Sequence, residues 1–183
     1  MQTYIAILRG INVSGHKIIK MAELRDHLSS LNFCNLTTYI QSGNIVFQSE
    51  AMKNNVLEEK IHQLIKDQYG FDVPVIVRSL QEWQQVVDQF PFNLEQVDTK
   101  RIGFAFLKEK PLNFDPLDYE KFKAVEDKIV YNGKEIYLHI PGGFGSSKLT
   151  NNIFEKKLRV SATTRNWNTT LKLLEMAKAL DSF

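Results

Sequence analysis

Leu36-Thr37-Thr38-Tyr39-Ile40-Gln41-Ser42-Gly43-Asn44-Ile45-Val46-Phe47-Gln48-Ser49 sets two runs rich in β-branched and aromatic residues on either side of Ser42-Gly43-Asn44. The runs read as strands over Leu36–Gln41 and Ile45–Ser49. Glycine beside asparagine supplies the positive φ that a tight hairpin needs. Working outward, Met21, Leu24, Leu28 and Leu31 recur at helical spacing before the hairpin, which predicts a helix with one buried face. Leu57, Ile61, Leu64 and Ile65 do the same after it, and Gly70 is a natural stop. Thr3–Ile11 and Val73–Arg78 are the flanking strands, with Pro74 suiting a strand start or an edge. The order β-α-β-β-α-β is the ferredoxin-like plan.

The second half begins again. It follows a third helix of the first half, marked by Leu80, Trp83, Val86, Val87 and Phe90 and closed by Pro91. Ile102–Leu107 reads as a strand, Asp115–Val125 as a helix entered through Pro116, and Lys128–Tyr131 with Glu135–Ile140 as a hairpin around Asn132-Gly133. A glycine-rich loop, Pro141–Ser147, leads to a helix over residues 149–158 and then to a final helix that runs to about residue 180 through Leu171, Leu174, Ala177 and Leu180. The fold class is therefore α+β. A ferredoxin-like first half is followed by a related, degenerate half that lacks its last strand. The polar stretch Asn93–Lys100 places the boundary between residues 1–92 and 93–183.

A chain of 183 residues with 43% apolar and 24% charged residues is long enough to bury a core without staples. The lone cysteine, Cys34, excludes an intrachain disulfide, fits a reducing compartment and reads as a small core residue. No apolar run is long enough to span a membrane. Arg9 cuts the opening apolar segment short of a signal peptide, so the expected location is cytoplasmic. The net charge of +2 is uneven, with seven basic against three acidic residues from Lys148 onward. That excess reads either as a solvated face or as part of a basic site.

Four stretches place polar residues where folding alone does not ask for them. They are Leu8-Arg9-Gly10-Ile11-Asn12-Val13, Thr38 to Asn44, Gly142-Gly143-Phe144-Gly145-Ser146-Ser147-Lys148-Leu149, and Thr163-Thr164-Arg165-Asn166-Trp167-Asn168-Thr169. In combination they resemble the signature runs of the bacterial domain-of-unknown-function family 1697. Its members read L-R-G-I-N-V-G-G, T-Y-I-Q-S-G-N, S-K-L and T-T-R-N-W-N-T. The resemblance covers essentially the whole chain, with Ser14 standing where the family has the first glycine of its pair. It implies an α+β fold with ferredoxin-like parts and implies no activity.

The glycine-rich loop follows a strand and enters a helix, an arrangement suited to an anion or simply to a flexible, serine-capped turn. It is no Walker A loop, because Ser147 precedes Lys148 and Leu149 follows it. Arg165 carries a planar fork that matches phosphate or carboxylate, or that ties down carbonyls within the fold. Thr163 or Thr164 reads as a helix cap and Trp167 as core. Antiparallel pairing of the first and third strands brings Arg9 and Asn12 to the same sheet end as Ser42 and Asn44, as a polar patch or as ordinary turn residues. An RNA-recognition reading fails on position. Gly103–Leu107 resembles that signature but opens the second half and lacks the leading basic residue.

The leading expectation is a binding protein for a small phosphate- or carboxylate-bearing ligand, or for a nucleic-acid backbone. Its site would be Arg9, Asn12, Ser42, Asn44, Lys148, Arg165 and Asn168, gathered from both ends of the chain. No cofactor and no metal is expected, since His16, His27, His62 and His139 have no ligand spacing. No membrane partner is expected, and the chain reads as a monomer or homodimer. One alternative is an enzyme with His16 or His139 as proton carrier near the same patch. Another is a self-associating protein that uses Trp167 and the last helix.

Overall fold

The computed structural model describes residues 1–181. Its chain clusters into two compact units, one of residues Met1–Gln85 joined by the C-terminal stretch from Lys172, the other of Val86–Leu171. The polar stretch Asn93–Lys100 lies inside the second unit.

The first unit is built on β1 (Gln2–Leu8), α1 (Met21–Leu28), β2 (Cys34–Tyr39), β3 (Asn44–Ser49), α2 (Asn54–Tyr69) and β4 (Val75–Ser79). Its strands form an antiparallel sheet in the order β2-β3-β1-β4, so the β-α-β-β-α-β order expected from the sequence is present. Alternate residues of β1, β3 and β4, Tyr4, Ala6, Leu8, Ile45, Phe47, Val75 and Val77, form one core with Leu24 and Leu28 of α1 and Leu57, Ile61 and Ile65 of α2. Ile5, Ile7, Val46 and Ile76, on the opposite face, are also fully buried. This is why β1 and β4 read as continuous apolar runs rather than as alternation.

Two details differ from the sequence reading. The hairpin turn spans Ile40–Gly43, because Tyr39 pairs with Asn44 across it, and the left-handed positions are Ile40 (φ 50) and Gly43 (φ 78). Gly43 is obligatory on steric grounds as well, since a Cβ there would lie 2.7 Å from Leu8 Cβ. Cys34 is exposed rather than part of the core. Phe33 takes the inward position, stacked on Phe47 at 4.2 Å. Its neighbour on the pleated edge strand therefore points the other way.

The second unit repeats the first. Its sheet holds β5 (Ile102–Leu107), β6 (Lys128–Asn132), β7 (Glu135–His139) and β8 (Ala162–Asn166) in the order β6-β7-β5-β8. In place of a first helix stands a 3₁₀ turn, Pro116–Phe122, opened by the Asp115 carboxylate accepting from Leu117 N at 2.9 Å. In place of the second stands α4 (Asn151–Leu158). α3 (Leu80–Asp88) and α5 (Trp167–Asp181) follow the last strands of the two sheets.

The expected absence of a last strand is therefore corrected. Ala162–Asn166 pairs along β5 from Leu107 to Gly103 and completes β-α-β-β-α-β with a 3₁₀ turn in the first helical slot. The polar run Thr163-Thr164-Arg165-Asn166 hides this strand from a hydrophobic pattern, although threonine suits a pleated backbone. The helix beyond it starts at Trp167, and its cap is neither threonine. Asn166 Oδ1 accepts from Thr169 N at 2.8 Å, the N-cap bond. Trp167 is half-buried and stacks on Phe104 and against Phe90.

With β8 in place, the two halves show a residue match that their sequences conceal. Arg78 stands opposite Ile5 on β4, and Arg165 opposite Phe104 on β8. Each is nearly inaccessible, at 1% and 7% exposure. Each donates from Nη1 to the carbonyl of the residue before it, Val77 at 3.0 Å and Thr164 at 3.1 Å. The fold class is α+β, as expected, with one strand plan used twice.

Candidate functional site

Arg9, Asn12, Ser42 and Asn44 belong to the first unit, and Lys148, Arg165 and Asn168 to the second. Within the first unit the expected convergence of two motifs at one sheet end is present, and its amides are spent on the fold. Asn12, held in the left-handed region at φ 54, donates to the carbonyls of Ile19 (2.9 Å) and Gln41 (2.8 Å) and accepts from Ile19 N (2.8 Å). It thereby ties the 9–20 loop to the hairpin turn. Asn44 is completely buried and donates to Tyr39 O and Ser42 Oγ, both at 2.9 Å. Arg9 is half-buried, and its backbone N–H donates to Pro74 O at 3.0 Å.

In the second unit Arg165 also serves the fold, its Nη1 donating to Thr163 Oγ1 at 2.8 Å. Asn168 is exposed in the first turn of α5. Lys148 is exposed too, but it lines a cavity of about 240 Å³ closed on one side by the glycine-rich loop and on the other by the end of the 3₁₀ turn. That second wall brings Lys121 and Lys123, and the loop brings Gly142, Gly143, Ser146 and Ser147. Three lysines thus line one small space together with two serines and glycine main chain.

The electrostatics of this cavity are lopsided. Lys123 is paired with Glu120 at 2.9 Å, and Lys121 sits 5.2 Å from the centre of the Phe122 ring. The one lining carboxylate, Asp127, is 6% exposed and already accepts from Ala124 N at 2.9 Å. The loop keeps its shape through Gly143 N donating to Ile140 O, and through Ser146 Oγ reaching the carbonyls of Gly142 and Gly143. Gly143 has φ 89, and the Arg101 guanidinium occupies the space where a Cβ would be. The positive φ favours glycine at this position, since any L side chain would be strained there.

Sequence reasoning found Lys148 and the loop and missed Lys121, Lys123 and Arg101. The available signal was the pair Lys121-Phe122-Lys123, two cations on one turn, which says nothing about a loop some twenty residues on until the chain folds.

Histidine does not line this cavity. His16 is exposed on the 9–20 loop of the first unit. His139 is buried at the end of β7, its Nδ1 has no hydrogen-bond partner among the described residues, and burial with Lys128 nearby holds its pKa below the ordinary value. No group of three or more His, Cys, Asp or Glu side chains among the described residues is arranged to hold a metal ion. No helix among them is long and apolar enough to cross a membrane.

The model of a family described as protein of unknown function, DUF1697, matches residues 1–137. That span includes the Arg9–Asn12 and Ser42–Asn44 motifs and stops short of the glycine-rich loop. No curated protein matches the chain. Among solved structures, that of the conserved bacterial protein SP0830 from Streptococcus pneumoniae is similar. It is 24% identical, with 96% of this chain and 98% of that chain covered and a TM-score of 0.75. At that identity the likeness speaks for the fold.

Proposed function

We propose, for this chain, which belongs to the DUF1697 family of proteins of unknown function, that its second unit is a binding module for a small phosphate-bearing ligand. The ligand occupies the cavity between the glycine-rich loop and the 3₁₀ turn. The observation that carries this reading is the meeting of Lys121, Lys123 and Lys148 around about 240 Å³, with a single lining carboxylate that is already engaged by main chain.

Lysine acts as a mobile point charge on phosphate, and glycine-rich main chain supplies directional N–H groups. Ser147, whose Oγ accepts from Leu149 N at 3.1 Å, adds a hydroxyl that donates to a phosphate oxygen once rotated. Arg165, with its guanidinium spent on Thr163 and Thr164, and the four motif residues of the first unit are not part of this site.

Isothermal titration with inorganic phosphate and pyrophosphate tests the reading. Lys148→Ala and Lys121→Ala each lower the affinity by about tenfold, the loss of one charge-assisted bond, with an unchanged fold by circular dichroism. Equal phosphate affinity in the native chain and the Lys121→Ala/Lys148→Ala double variant would refute it.

A further inference from the structure

The second unit contains a second cavity, of about 410 Å³, and the two C-terminal motifs meet in it. Lys148 and Leu149 are neighbours in sequence but line different cavities, Lys148 the small one and Leu149 the larger. From the glycine-rich motif come Phe144 and Leu149, from α4 Asn151, and from β8 Thr164 and Asn166, and Lys100 lines it too. The phosphate reading uses none of these side chains.

The two asparagines that line this space both have their amide oxygens engaged. Asn151 Oδ1 accepts the Thr164 hydroxyl at 2.7 Å, which leaves its Nδ2 as a donor. Asn166 Oδ1 accepts from Thr169 N at 2.8 Å, with the same consequence. Lys100 brings three donors and one positive charge. No Asp or Glu lines the cavity. Asp98, two residues before Lys100, accepts from Lys100 N at 2.9 Å and faces Arg101 at 3.9 Å.

Apolar surface completes the lining. The Phe144 ring lies directly against Gly103 of β5, where a Cβ would stand 2.7 Å from the ring, and Leu149 is nearly buried beside it. Mostly apolar walls with a few convergent polar groups are what small-ligand pockets present. A single cation, two amide donors and an aromatic wall match a group with one negative charge, two acceptor oxygens and an apolar body. A phosphate suits the cavity lined by three lysines better, because it carries more than one negative charge.

We propose that this second cavity binds a small carboxylic acid with an apolar body. Its carboxylate engages Lys100 and the side-chain amides of Asn151 and Asn166, and its body lies against Phe144 and Leu149.

The test is a ¹H–¹⁵N titration of the full chain with benzoate, acetate and inorganic phosphate in parallel. Benzoate shifts the amides of Gly103, Asn151 and Thr164 saturably, and acetate does so far more weakly. Lys100→Ala, at an exposed position where folding is not at stake, weakens benzoate about tenfold, the loss of one charge-assisted hydrogen bond. Asn151→Asp, which sets a negative charge against the carboxylate, weakens it more. Lys148→Ala leaves benzoate binding unchanged, which separates this site from the phosphate site. Absence of a saturable benzoate shift at those amides, or equal affinity for benzoate in native chain and Lys100→Ala, would overturn the assignment. So would acetate binding as tightly as benzoate, which would remove the apolar wall from the account.

Discussion

Asn12 Nδ2 lies 2.8 Å from the carbonyl oxygen of Gln41 and joins the loop after β1 to the turn between β2 and β3. The same side chain holds both main-chain groups of Ile19, and its own backbone sits at φ 54. Leu8 N donates to Gly43 O at 2.8 Å in the same place. Two motifs that look like a binding patch in one dimension are the clamp that closes one end of a sheet.

Replacing the clamp residue separates its two duties. Asn12→Ala loses the side-chain bonds and forces an L-residue without a local hydrogen bond into the left-handed region, at a cost of about 2–3 kcal/mol. Asn12→Gly loses only the bonds and is expected to cost roughly 1 kcal/mol less. Urea denaturation of both variants measures the difference. An Asn12→Ala midpoint equal to that of the native chain would show that the loop is held by something else.

Arg165 and Lys148 stand in opposite settings although both were drawn into one expected site. Arg165 is 7% exposed and bonded to Thr163 and Thr164, so Arg165→Ala is expected to destabilise by at least ~2 kcal/mol through lost bonds and lost packing. Lys148→Ala changes stability by less than ~0.5 kcal/mol, as surface substitutions do. Paired thermal and chemical denaturation decides it, and the order of the two effects is the point at issue.

Tyr119 is fully buried, its hydroxyl has no partner among the described residues, and burial pushes its pKa up to about 12. A buried polar group without a bond costs free energy that phenylalanine does not incur. Tyr119→Phe therefore stabilises by about 1 kcal/mol, read as a higher urea midpoint at unchanged slope. A loss of stability would mean that the hydroxyl has a partner in solution.

His139 gives the second unit a sensitivity to acid. Burial, then the nearby Lys128, hold its pKa below the ordinary 6.5, against the opposing pull of Asp127, Asp98 and Glu126. The unfolded chain then binds a proton more readily than the folded one. The cost is absent well above pH 6.5 and grows as pH falls from there toward the folded-state value. His139→Gln removes that component. The stability difference between pH 7.5 and pH 5.5, measured by urea denaturation, should shrink in the variant, and an unchanged difference would assign the acid response to other groups.

What the amino-acid order determined alone is the set of elements whose signals are local. The Asn132-Gly133 hairpin, the helix stopping at Gly70 and the 3.6-residue spacing of Leu57, Ile61 and Ile65 follow from contacts between residues a few positions apart. Such contacts exist before the chain has a shape. β8 was not legible in that way. Ala162-Thr163-Thr164-Arg165-Asn166 is a strand because β5 offers it an edge some sixty residues away, and an arginine is tolerated there because bonds along its own strand meet it. The three-lysine cavity belongs to the same class. Lys121, Lys123 and Lys148 share a space only after the chain between them has paired into β6 and β7. No short-range propensity records a long-range pairing, so the sequence specified the repeated units and the tertiary structure alone decided which cations meet.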